Sequence, residues 1–165
     1  LEKAGLKYAD ITPVFLPPAD ARAAFERGSI DAWAIWDPFL EAAKRQSNAR
    51  LLADAEGIVS HHQFFLSARP FAEQNGDVLA IVMDEVGKEG TWVRGHYSEA
   101  AAQLAPIQGL DAGVIEAGLR HYAHVYKPID AGVLAEQQRI ADTFSELRII
   151  PTKIVTKDAA LPAKA

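Results

Sequence analysis

Two indoles and the carboxylate of Asp37 crowd the end of the stretch Asp31-Ala-Trp-Ala-Ile-Trp-Asp-Pro-Phe39, and they are the chain's best candidates for a binding site. Trp33 and Trp36 offer large apolar surface at what reads as the end of a parallel strand, where ligands bind in open α/β sheets. Neighbouring odd and even positions of a strand point to opposite faces, so both rings cannot line one pocket from a straight strand. Trp36 is expected past the strand's end, in the loop, and Trp33 under a helix; the alternative is that both are core. Asp37 reads first as a helix cap. Direct ligand contact by its carboxylate would select an amine or hydroxyl group.

Other candidates are thinner. Pro18, Ala19 and Asp20 open a helix at a strand's end, where the N–H groups of Ala21 or Arg22 could serve an anion; the alternative is an ordinary capped turn. His61 and His62 could donate to an acid group when protonated, act at a hinge, or be plain surface histidines. His121 and His124 have the spacing of a helical metal pair, but no third ligand cluster stands nearby, so no metal is expected. Ser60 and His61 are strand neighbours that point apart and do not make a nucleophile–base pair. No paired carboxylates, phosphate loop or zinc signature occurs, so the expectation is a protein that binds without catalysing and needs no cofactor.

The positioning elements follow from apolar spacing and punctuation. Residues 11–16 read as a strand, with Pro13 at an edge or start. Residues 19–27 read as a helix, 30–36 as a strand, 38–45 as a helix capped by Asp37, and 50–53 as a strand. This alternation signals a parallel or mixed sheet with helices on its faces. Residues 62–68 give one more strand, and 69–75 a short helix. Everything beyond is helical. Val78, Ile81, Val82 and Val86 form one apolar stripe, Val114, Ile115, Leu119 and Tyr122 a second, and Val133, Ile140, Phe144 and Leu147 a third. Gly87, Gly90 and Gly95 weaken the case for a continuous helix up to Tyr97. The tail after Pro151 is polar, Ala-rich and expected to be loosely held.

At 165 residues, 49% apolar and 24% charged, the composition is that of an ordinary globular protein. A net charge of −5 with scattered basic residues argues against nucleic acid and against a basic membrane-surface helix. The absence of cysteine removes disulfides, thiolate metal sites and a Cys nucleophile. Leu1-Glu-Lys-Ala-Gly-Leu6 reads as the last turns of a helix that lacks a start signal. The later helical stripes also need a sheet that these residues do not provide. The expectation is therefore the later part of a longer protein, whose exposed apolar faces would favour self-association; the alternative is a mature chain beginning in a short helix.

The order Leu1-Glu-Lys-Ala-Gly-Leu6, Asp10-Ile-Thr-Pro13, Pro18-Ala-Asp-Ala-Arg-Ala-Ala-Phe25, Asp31-Ala-Trp-Ala-Ile-Trp-Asp-Pro38 and Ala68-Arg-Pro-Phe-Ala-Glu-Gln-Asn-Gly76 resembles the aliphatic sulfonate-binding proteins of ABC importers. These are grouped with nitrate, taurine and thiamine-precursor binders. The resemblance implies an α/β fold of the type II periplasmic binding protein class, part of two mixed-sheet lobes. Residues 1–61 would be the remainder of lobe two, 62–165 the C-terminal part of lobe one, and the second crossover would lie near His61 to Phe65. About half of the cleft, including a loop that faces the anion with backbone N–H groups, would lie outside these residues. The implied function is capture of an organic sulfonate in the periplasm, or at a lipid-anchored extracellular position, and delivery to a membrane permease. Trp36, Asp37, Trp33, Pro18, Ala19, Asp20 and His61 are the candidate ligand-binding positions. The same resemblance admits a taurine, nitrate or thiamine-precursor pyrimidine binder. It also admits an enzyme on the same fold, either a sulfinate desulfinase working through cysteine or a thiamine-precursor synthase working through histidine. The missing cysteine speaks against the former, and His61 and His62 keep the latter open.

Overall fold

The computed structural model describes residues 1–58 and 60–161. Its regular elements are helices, and several begin on residues that dictate it. α1 (Pro18–Glu26) opens with Pro18 at its first turn, where the missing N–H is no loss. α6 (Ala112–Leu119) begins on Asp111, whose carboxylate accepts from the N–H groups of Gly113 and Val114. α7 (Ala131–Glu146) begins in the same way on Asp130, which accepts from Val133. Between these lie α2 (Phe39–Gln46), α3 (Arg69–Gln74), α4 (Gly76–Gly95) and α5 (Tyr97–Gln108). A 3-10 turn at Glu2–Ala4 stops at Gly5, which takes the left-handed φ of 70°.

The four expected strands do not form. Among the described residues no segment pairs with another as a ladder, and residues 12–17, 32–36, 50–53 and 61–68 run without regular structure. A strand exists only when its N–H and C=O groups meet those of a neighbour, and these segments supply no neighbour for one another. The mixed sheet expected from the βαβ alternation is therefore not made by these residues. Their alternating apolar side chains stay largely in water: Phe15 is 82% exposed and Leu66 92%.

α4 is likewise a correction, in the opposite sense. It runs unbroken from Gly76 to Gly95 through Gly87 and Gly90. The intrinsic penalty of each glycine is about 1 kcal/mol. Close approach outweighs it at Gly90, where an added Cβ would lie 2.6 Å from the carbonyl oxygen of His124. The tail also departs from expectation. Gln138 of α7 donates to the carbonyl of Ile154 at 2.9 Å and accepts from the N–H of Thr156 at 2.9 Å, which fixes a 3-10 turn at Thr156–Ala159.

The chain divides into two compact units, changing unit after Thr12, Ser60, Ile81 and Tyr126. One unit holds residues 1–12, 61–81 and the chain from Lys127 onward. Ala72, Val133 and Ala141 are its buried apolar side chains, and α7 carries the 154–159 turn. Within it the Nε2 of His62 lies 3.5 Å from a Glu136 carboxylate oxygen. The other unit, Pro13–Ser60 with Val82–Tyr126, holds the better core. There α6 packs on both α5 and α2. Small side chains let the helix axes come close: Ala100 and Ala101 of α5, and Ala42 and Ala43 of α2, are buried with Val114 and Ile115 of α6.

Candidate functional site

The site begins with the turn between the 32–36 segment and α2. Trp36 ends that segment with its indole 54% exposed, an unusual position for so large an apolar group. Its ring meets Phe39 edge-on, with centroids 6.3 Å apart and planes at 81°. Trp33 is half-buried and turns elsewhere. Its ring lies 6.2 Å from that of Phe25, and with Phe25, Ile35, Leu40 and Lys44 it lines a shallow hollow under α1 and α2. The two indoles therefore serve different places in the unit.

Asp37 holds the turn. One carboxylate oxygen accepts from the N–H of Glu41 at 3.2 Å, so it caps the first turn of α2 from one position before the formal cap, Pro38. Its other oxygen lies 2.7 Å from Nδ1 of His121, which must be the donor because a carboxylate only accepts. The Tyr122 hydroxyl donates to the main-chain carbonyl of Asp37 at 3.0 Å. Burial raises the phenol's pKa, and the neighbouring Asp37 charge adds to the rise. α6 comes close enough for these bonds because Gly118 carries no side chain. A Cβ there would lie 3.2 Å from the Cβ of Asp37 and 3.3 Å from the Cα of Pro38.

Glu41 completes the cluster one helical turn on. Its side chain is 7% exposed yet remains ionised, because Lys44 bonds it directly and the Arg45 Nε stands 3.5 Å away. The Lys44 hydrogen bond holds its carboxyl below the usual 4.5, against the opposing effect of burial. The ligand-type atoms of Asp37, Glu41 and His121 lie within 4.8 Å of one another, as a cation site would require. Their protons and charges are already matched, however: Lys44 and Arg45 serve Glu41, and His121 serves Asp37. A cation would have to displace both arrangements. The spacing pair His121 and His124 does not converge either, since the His124 ring bonds the Leu119 carbonyl at 2.7 Å.

Pro18, Ala19 and Asp20 lie at the start of α1 in the same unit. The N–H of Ala21 already donates to the Pro17 carbonyl at 2.9 Å, which leaves anion contact there to the N–H groups of Ala19 and Asp20. His61 belongs to the other unit and is exposed. Sequence reading did not reach the Gly118–His121–Tyr122 clamp on Asp37. His121 stood out only for its spacing from His124, and no local signal ties it to a residue 84 positions earlier.

No established family's sequence profile matches the chain. A protein of Escherichia coli (strain K12) named for binding aliphatic sulfonates is 43% identical over 155 residues, which is 93% of this chain and 49% of the relative. One from Bacillus subtilis (strain 168) with the same name is 31% identical over 150 residues, 90% of this chain and 45% of the relative. Among solved structures, the periplasmic aliphatic sulphonate binding protein SsuA of Escherichia coli superposes with a TM-score of 0.85 at 40% identity, over all of this chain and 56% of that one. The alkanesulfonate-binding protein SsuA of Xanthomonas axonopodis pv. citri, bound to MOPS, superposes with a TM-score of 0.86 at 37% identity, over 98% and 56% of the two chains. The chain spans about half the length of the curated relatives it matches. Over that half, the resemblance to aliphatic sulfonate-binding proteins holds in both sequence and fold.

Proposed function

We propose that this chain is part of the solute-binding component of an ABC importer, and that it contributes one wall of a periplasmic site for aliphatic sulfonates. In this reading the captured acid is passed to a membrane permease and no bond is made or broken. Among the described residues no helix is long and apolar enough to cross a membrane. The observation that carries the reading is Trp36: a half-exposed indole on a turn braced at both ends. A sulfonate is a diffuse anion on an apolar tail, and an indole face suits the tail. Nitrate has no tail and gains nothing from it.

Trp36 supplies the apolar contact. The first N–H groups of α1, at Ala19 and Asp20, are offered to the acid head, as helix starts commonly are. Asp37 supports the turn and does not touch the ligand, because its two oxygens are engaged by Glu41 and His121. Trp33 packs beneath α1 and α2 as scaffold. The sheet expected from the resemblance would be completed by strands outside these residues, with segments 12–17, 32–36 and 50–53 joining it.

The test is an NMR titration of the chain with methane-, ethane-, propane- and butanesulfonate, and with nitrate. Dehydrating one methylene against an indole is worth about 0.8 kcal/mol, so affinity should rise by up to about fourfold per added carbon. Nitrate should be ineffective, and Trp36→Ala should flatten the series. Binding that is independent of tail length, or equal for nitrate, would refute the assignment.

A further inference from the structure

We infer that His121 is a positioning residue for the sulfonate wall: through Asp37 it fixes the turn that presents Trp36. The inference rests on the functional reading above and deepens it, since His121 lies on no segment that reading uses. The Trp36–Asp37–Pro38 turn has two sets of restraints. One is local: the Leu40 N–H on the Trp36 carbonyl at 3.1 Å and the Glu41 N–H on the Asp37 carboxylate tie the turn to α2. The other comes from the end of α6, where the His121 Nδ1 takes the second Asp37 oxygen and the Tyr122 hydroxyl takes the Asp37 carbonyl. The α2 bonds and the Phe39 ring hold Trp36 from one side. The bonds from His121 and Tyr122 hold both the side chain and the main chain of the very next residue from the other, so loss of His121 loosens the turn.

The same bond has an electrostatic consequence. A bare Asp37 carboxylate beside Trp36 would repel an acid from the indole. With its side chain 9% exposed and one oxygen covered by the imidazole, little of its charge is offered to a ligand. His121 itself is half-exposed, which makes it accessible to substitution without opening the core. Gly118 belongs to the same device, since it is the close approach at Gly118 that brings α6 within reach.

His121→Ala and His121→Asn, made in a chain whose Trp33 and Trp92 are replaced by Phe, separate positioning from mere stability. Trp36 is then the sole indole. In His121→Ala, iodide quenching of Trp36 should rise and the steady-state anisotropy of its emission should fall, with or without ligand. Affinity for butanesulfonate should drop roughly tenfold, the scale of one lost charge-assisted hydrogen bond. Far-UV dichroism and the urea midpoint keep account of folding. His121→Asn places an amide donor near the former Nδ1 and should restore both the fluorescence and the affinity. Unchanged quenching, anisotropy and affinity in a folded His121→Ala would overturn the inference, as would failure of the Asn variant to restore them. If the unsubstituted chain binds no alkanesulfonate, the functional reading falls alone, and the ligand-free fluorescence still decides whether His121 fixes the turn.

Discussion

Alanine at Gly90 and at Gly87 should shift stability in opposite directions, although the two positions lie one turn apart on the same helix. Each substitution gains the same helix propensity, about 1 kcal/mol, by restricting the unfolded chain and completing the helical surface. They differ in what the new methyl meets. At Gly87 the nearest atom is a Tyr126 ring carbon at 4.0 Å, an ordinary contact. At Gly90 it is the His124 carbonyl oxygen at 2.6 Å, with the carbonyl carbon at 3.3 Å. Carbon–oxygen contacts are comfortable near about 3.5 Å, so backbone must move by nearly 1 Å. His124 is poorly placed to yield. It holds a left-handed φ of 48°, its ring bonds the Leu119 carbonyl, and its own carbonyl oxygen accepts from Arg94 at 3.4 Å. Overpacking of this kind costs about 1–3 kcal/mol. Gly87→Ala is therefore expected to stabilise by up to about 1 kcal/mol, and Gly90→Ala to fall below it by about 1–3 kcal/mol. Urea denaturation followed by far-UV dichroism measures both, and their difference cancels the shared propensity. A Gly90→Ala chain as stable as Gly87→Ala would show that α4 and residue 124 do not meet as described.

Three further outcomes are expected. Glu26, Glu41, Glu116 and Asp130 all have carboxyls held below their ordinary values, chiefly by hydrogen bonds from Ser47, Lys44, Arg120 and the Val133 N–H respectively. A depressed folded-state pKa stabilises at pH above the ordinary value and is lost as pH falls through the depressed one. Thermal midpoints should thus be level from pH 7 to about 5 and decline below about 4.5, less steeply in Glu41→Gln; a midpoint unchanged down to pH 3 would contradict this. Asp111→Ala should lower stability by about 1 kcal/mol in urea denaturation and Asp111→Asn much less, because the asparagine oxygen can still accept from Gly113 and Val114. Gln138→Ala should accelerate amide exchange at Thr156, roughly tenfold for the loss of its single partner, and leave exchange in α6 unaltered.

The helices were legible because their signals are local. Asp111 and Asp130 cap where their spacing from the apolar stripes says they should, and Pro18 opens α1. The strands were read from equally sound local patterns, but pairing is a relation between segments, and alternation in 62–68 says nothing about whether a partner is present. α4 exposes the converse limit. Glycine propensity argued for a break, whereas the close approach of His124 to Gly90 is a tertiary fact that favours glycine there. The tail after Pro151 looked unanchored because its anchor, Gln138, is a polar residue on a helix whose apolar stripe drew the attention. At the site, Trp36 was conspicuous from composition alone. Trp33 and Trp36 do take separate places, Trp33 beside Phe25 and Trp36 beside Phe39, although the segment forms no strand. Asp37 showed its capping role in its position before Pro38, but its bonds to His121 and Tyr122 join residues 84 and 85 positions apart and left no trace in the sequence.

The most direct measurement is the transferred nuclear Overhauser effect of butanesulfonate in the presence of the chain, with the Trp36 indole protons assigned. The alkyl protons should exchange magnetisation with the Trp36 indole, and not with Trp33 or Trp92, while the methylene next to sulfur gives the weaker signal. Cross-peaks confined to other aromatic rings, or none at Trp36 under conditions where butanesulfonate is seen to bind, would contradict the placement of the ligand at this turn.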